Sequence, residues 1–98
     1  MTTEQSVVPV QERAWPGLDV SGLRMLVTGF GISGFAIADQ TMQRGARVLV
    51  VDGTDTPEIR ERAQILEVLG VEFRLGAEHT RTLPQDREID LVVTSPGS

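Results

Sequence analysis

Apolar residues come in short blocks separated by polar punctuation. Residues 23–28 read Leu-Arg-Met-Leu-Val-Thr and are followed by glycine. A strand covered on both faces shows a near-continuous apolar run rather than alternation, so 23–28 predicts a buried parallel strand. Residues 32–44 predict a helix. Gly34, Ala38 and Met42 share one face, leaving Asp39, Gln40 and Gln43 for solvent. Arg44 suits the negative end of that helix, and Gly45 the position just past it. Residues 47–51, rich in Val and Leu, predict a second strand. Thr54-Asp55-Thr56-Pro57-Glu58 opens a second helix, with Thr56 as its cap and Pro57 in the first turn. Asp55 is a further cap candidate or a solvated charge. Ile59, Ala63, Leu66 and Leu69 recur at helical spacing, and Gly70 ends the helix. Residues 71–75 predict a third strand, 76–88 a polar connection containing Pro84, and 89–94 a fourth strand. Residues 1–20 predict an irregular lead-in broken by Pro9 and Pro16-Gly17. Within it Trp15 either folds back on the domain or stands exposed. The domain is then 21–98.

Strands alternating with helices predict an α/β fold, a Rossmann-like doubly wound parallel sheet. Right-handed crossovers place the second and third strands on one side of the first, and the fourth on the other. Winding reverses between the first and fourth strands, and ligands of such sheets sit in the crevice at that point. The pattern ends after about four strands, so the expectation is a truncated version of the fold.

Composition narrows the chemistry. Ninety-eight residues allow one small domain, and 40% hydrophobic content is enough for a core. The chain has no cysteine, which excludes disulfides and thiolate metal sites. No apolar stretch reaches the roughly 20 residues of a membrane span, and the first residues lack the features of a signal peptide. Both points fit a cytoplasmic location. The net charge is −5, and the nine cationic side chains are scattered arginines, with no lysine. This argues against a nucleic-acid surface. It also leaves backbone N–H groups as the main holders of any anion. The one histidine, His79, reads as a surface residue and cannot make a metal site alone.

The backbone offers such a holder at Gly29-Phe30-Gly31-Ile32-Ser33-Gly34. A glycine turn that leaves a strand and opens a helix brings unpaired N–H groups close to a phosphate. Gly31 is the expected ligand contact, whereas Gly34 serves tight packing of strand and helix. Ser33 either donates to a phosphate oxygen or caps the helix. Asp52 ends the second strand, where an acid can read a ribose or uracil. Its removal is expected to leave the fold intact. Gly97 follows the fourth strand and either meets a diphosphate from the far side or makes an ordinary turn.

Three segments together resemble the N-terminal domain of the Mur ligases, nearest to the branch that adds D-glutamate. They are the glycine turn, Val50-Val51-Asp52-Gly53-Thr54, and Asp90-Leu91-Val92-Val93-Thr94-Ser95-Pro96-Gly97. The Ser-Pro-Gly after the fourth strand separates this pattern from ordinary dehydrogenases. The resemblance runs from about residue 22 onward. It implies that the chain docks the UDP part of a UDP-sugar substrate in peptidoglycan biosynthesis. In that family ATP converts a carboxylate to an acyl phosphate, which the amine of D-glutamate attacks. The resemblance further implies Gly31, Ile32, Ser33 and Gly97 as diphosphate contacts, with Asp52 and Thr54 near uracil and ribose. Thr54 stands where some relatives carry a basic residue. The family's G-K-[ST] loop for ATP is absent from this sequence. ATP and magnesium are therefore expected only in the full-length enzyme, with the remaining domains of the same polypeptide as partners. By itself the chain is expected to bind no cofactor and to be inactive. Two other readings fit the residues: an NAD-binding fragment of an oxidoreductase, with Asp52 on the adenosine ribose, and a ligand-free α/β interaction module.

Overall fold

The computed structural model describes the backbone of Ser6–Pro9 and residues 19–95. Its elements are β1 (Ser6–Pro9), β2 (Arg24–Thr28), α1 (Ile32–Gln43), β3 (Arg47–Asp52), α2 (Pro57–Glu67), β4 (Glu72–Leu75), a 3-10 turn (Ala77–His79) and β5 (Leu91–Thr94). The strands form one sheet in the order β1-β5-β2-β3-β4, and every neighbouring pair is parallel. Leu26 lies beside Leu49 on one side and Val92 on the other. The four expected strands and their order are all present.

The expectation of an irregular 1–20 is corrected at Ser6–Pro9, which runs parallel to β5 at the sheet's edge. Val7 and Val8 are β-branched and suit an extended chain. Proline is tolerated at an edge, where its missing N–H breaks no inner ladder. Trp15 and Gly97 lie outside the described residues.

Side chains alternate across each strand, and here both faces are covered. Met25, Val27, Val48, Val50 and Val93 pack with Phe30, Ile37, Ala38 and Leu66 on the helical side. Leu26, Leu49, Val51 and Val92 join Ile89 on the other. Two apolar faces explain why the strands read as unbroken apolar runs. In α1 the inner face is Gly34, Ile37, Ala38 and Thr41, with Met42 half-buried. The buried Thr41 hydroxyl donates to the Ile37 carbonyl at 2.7 Å, a common way to satisfy such a group inside a helix. In α2 the Thr56 hydroxyl accepts the Ile59 N–H at 3.3 Å, as expected of the cap. Leu69 departs from expectation. The helix ends at Glu67, Gly70 turns with φ 106°, and Leu69 is left 55% exposed while Leu66 and Val71 fill the core.

At the N-terminal ends of the inner strands Arg24 holds β2 to the start of β5. Its Nε and Nη2 donate to the two Asp90 oxygens, each at 2.9 Å, and its backbone N–H donates to Asp90 Oδ2 at 2.8 Å. Asp55, left open between cap and solvated charge, pairs with Arg60.

Candidate functional site: the glycine turn between β2 and α1

The turn is built by three local constraints. Gly29 has φ 94°, a backbone region that L side chains avoid, and its N–H donates to the Val51 carbonyl at 2.8 Å. Phe30 drops its ring into the core, where it meets Phe73 edge-on at 4.7 Å between centroids. The Phe30 N–H donates to Asp52 Oδ2 at 2.7 Å. Gly31 is then extended (φ −84°, ψ −159°) and occupies the cap position of α1. Its carbonyl accepts the first helical N–H, from Phe35, at 2.9 Å.

Among the described residues the N–H groups of Gly31, Ile32, Ser33 and Gly34 have no backbone or side-chain acceptor assigned. They stand at the positive end of a 12-residue helix whose first turn carries no acidic side chain. Such an end attracts anions. Ser33 occupies the second helical position and so is not the cap. The Ile32 side chain is 86% exposed, which leaves its N–H as its contribution to the site. A Cβ on Gly34 would collide with the Gly29 carbonyl oxygen and would stand 3.6 Å from Ser95 Cβ. Gly34 thus has the packing role expected of it.

Asp52 serves this turn directly. One carboxylate oxygen takes the Phe30 N–H, and the other takes the Thr54 N–H at 2.8 Å. The carboxylate therefore ties the glycine turn to the loop after β3. The expectation that Asp52 is dispensable for folding is corrected on this ground. Each oxygen keeps a further lone pair for a ligand. Thr54 is exposed beside it. Ser95 follows β5 and donates its N–H to the Thr28 carbonyl at 2.9 Å, which sets the two strand ends side by side.

Sequence reasoning missed the wall opposite the turn. Leu26, Thr28, Gly29, Val51, Asp52 and Gly53 line a crevice of about 450 Å³, closed on its far side by His79, Thr80, Arg81, Thr82 and Leu83. The connection is anchored there by Gly76, whose N–H donates to the Asp52 carbonyl at 2.8 Å. His79, expected at the surface, is half-buried in this wall. Only the glycine at 76, with φ 124°, marks the fold-back in the sequence. A larger hollow, about 520 Å³, lies at the other end of the strands between Arg24, Met42, Arg47, Leu69 and Arg87. Two of its arginines are already paired, Arg24 with Glu88 and Asp90 and Arg87 with Glu72. The free backbone donors lie at the glycine turn instead.

No protein-family model matches the chain. Curated relatives do. The UDP-N-acetylmuramoylalanine--D-glutamate ligase of Thermobifida fusca (strain YX) is 45% identical over 80 residues, which cover 82% of this chain and 16% of that protein. The same-named enzyme of Frankia casuarinae is 46% identical over 78 residues, 79% of this chain and 16% of its own. The chain thus spans a small part of the length of these relatives. Among solved structures, the HOCl-induced flavoprotein disulfide reductase RclA of Escherichia coli superposes with a TM-score of 0.68 at 16% identity, over 94% of this chain and 24% of the reductase. That likeness establishes a Rossmann-type fold and nothing finer.

Proposed function

The chain belongs to the D-glutamate-adding Mur ligases, as a segment matching about 16% of their length, and we propose that it docks the UDP end of their UDP-N-acetylmuramoyl-alanine substrate. The observation that carries this reading is the row of four N–H groups without an assigned partner, Gly31 to Gly34, opening α1 at the point where the sheet reverses its winding. A diphosphate matches those donors in charge. Ile32 and Ser33 contribute through the helix end. Gly31 contributes its N–H and the space left by its missing side chain. Asp52 borders the crevice, with Thr54 exposed beside it, and its carboxylate has acceptor capacity for a ribose hydroxyl or the uracil N3–H. Gly97 is proposed as the second diphosphate contact on the strength of the Ser-Pro-Gly motif.

The ligation itself is a property proposed for the whole enzyme: ATP-dependent amide formation in peptidoglycan synthesis, in the cytoplasm. The chain has no lysine and no G-K-[ST] loop, so its residues do not fit an ATP-phosphate site, and no step of the ligation is assigned to them. Their work is to bind and orient the nucleotide end of the substrate. A second reading, an NAD-binding segment, is favoured by the reductase-like fold and by the acid at the end of β3.

Parallel titrations with UDP and NAD separate the two. The docking reading expects saturable UDP binding that is tighter than NAD binding. Tighter NAD binding would replace it with the dinucleotide reading. ATP-dependent amide formation by this chain alone would overturn the division of labour.

A further inference from the structure

β4 is an outer strand of the sheet, paired with β3 on one side only. The Gly76 N–H donates to the Asp52 carbonyl, so the backbone groups of Gly76 face β3. Backbone direction alternates along a strand. Glu72 and Arg74 therefore also turn their N–H and C=O groups to β3, whereas Phe73 and Leu75 turn theirs outward. Among the described residues no turn or loop hydrogen bond is assigned to those outward groups. Phe73 is half-buried on the helical face. Glu72 and Arg74 lie on the other face, beside Leu49 and Val51. There Glu72 pairs with Arg87, and Arg74 with Asp86. A free strand edge is a template for another strand, and charges along it usually oppose such pairing. Here the two charges are opposite in sign and stand on either side of Phe73.

We propose that the β4 edge is a self-association surface, on which a second copy of this chain pairs its own β4 antiparallel about a two-fold axis at Phe73. In an antiparallel ladder, two residues directly opposite each other exchange both N–H···O=C bonds. Phe73 has both groups on the outer side, so it can face the Phe73 of the second copy. That register sets Glu72 of each copy opposite Arg74 of the other, with both side chains on one face, where opposite charges attract. Other registers fail. Centring on Glu72 or on Arg74 opposes like charges, with backbone groups that already face β3. Centring on Leu75 leaves Arg74 opposite Gly76, without an ion pair. Centring on Val71 needs an N–H that the Leu66 carbonyl holds. A two-fold interface must be self-complementary, and the order Glu72-Phe73-Arg74 has that property. A second copy is therefore the occupant that both the hydrogen-bond register and the charges fit.

The test is sedimentation equilibrium of the chain at rising concentration, alongside Glu72→Arg, Arg74→Glu and an equimolar mixture of the two variants. The parent is expected to form a dimer as concentration rises. Each single reversal turns two attractive cross-strand pairs into repulsive ones and is expected to weaken self-association roughly ten-fold. The mixture is expected to regain it, because the arginine-bearing edge of one variant then meets the glutamate-bearing edge of the other. Circular dichroism checks that each variant is folded. Amide hydrogen exchange of the parent needs no variant: exchange at Phe73 is expected to slow with protein concentration, while the glycine turn is unchanged. A parent that stays monomeric at every concentration would overturn the proposal. So would folded variants whose mixture associates no better than either alone, or a dimer that leaves Phe73 exchange unchanged.

Discussion

Asp52 holds two loops on one carboxylate, because Phe30 and Thr54 donate backbone N–H groups to its separate oxygens. A part-buried hydrogen bond to a charged group, here from Phe30, is worth roughly 1.5–3 kcal/mol, while the exposed bond from Thr54 adds little because water replaces it. Asp52→Ala is therefore expected to lower unfolding stability by about 1.5–3 kcal/mol in urea, besides weakening UDP binding. A loss below about 0.5 kcal/mol, typical of a neutral surface change, would show that the carboxylate is no clamp. Two glycines in the same turn are expected to fail differently. Gly31 has a φ of −84°, open to any residue, so Gly31→Val is expected to abolish UDP binding with a small effect on the urea midpoint. Gly34→Ala drives a Cβ into the Gly29 carbonyl, and overpacking of this kind costs roughly 1–3 kcal/mol. The packing role of Gly34 was legible in the sequence because the turn is local: strand, glycines and helix start are contiguous. The bracing of Phe30 by Asp52 was not, because an acid at a strand end looks the same whether it faces a ligand or a neighbouring loop.

At the scale of elements, arginine–carboxylate pairs tie strands to the segments beside them. The Arg24 guanidinium beside Asp90 holds its carboxyl at about 2, below the ordinary 3.8. Arg74 does the same for Asp86, also to about 2. A carboxyl depressed in the folded state stabilises fully above its unfolded pKa, and the benefit fades as pH falls through the folded value. The urea midpoint is thus expected to drop between about pH 4 and pH 2. Asp90→Asn is expected to be less stable than the parent at pH 7 and to show a shallower drop over that window. An identical acid limb in both proteins would show that the Arg24–Asp90 pair does not couple β2 to β5. The inner strands were readable because covering both faces demands an unbroken apolar run, as in Val48, Leu49, Val50 and Val51. β1 was not, since four residues ending at Pro9 carry too little pattern. Its place beside β5 comes from pairing between distant parts of the chain. Leu69 misled because helical spacing continues in the sequence past Glu67, where the helix has already ended.

At the scale of the whole molecule, the sheet order places the C-terminal ends of β2 and β5 next to one another. That adjacency brings the glycine turn and the start of the chain after β5 side by side, with the Ser95 N–H on the Thr28 carbonyl. Right-handed crossovers made the order predictable. The crevice wall of His79, Thr80 and Arg81 was not predictable, because its position depends on how a polar connection folds back over Asp52. The central claim is that this crevice docks UDP through the free N–H groups of α1. Its most direct test is a titration of the isotopically labelled chain with UDP, and separately with NAD, followed by backbone amide shifts. The expected result is saturable UDP binding, tighter than NAD, with the largest shifts at Gly31, Ile32, Ser33 and Gly34 and smaller ones at Thr54 and Ser95. Phe30, whose N–H is already held by Asp52, is expected to move less than its neighbours in the turn. Shifts confined to the hollow around Met42 and Leu69, or tighter binding of NAD than of UDP, would contradict the claim.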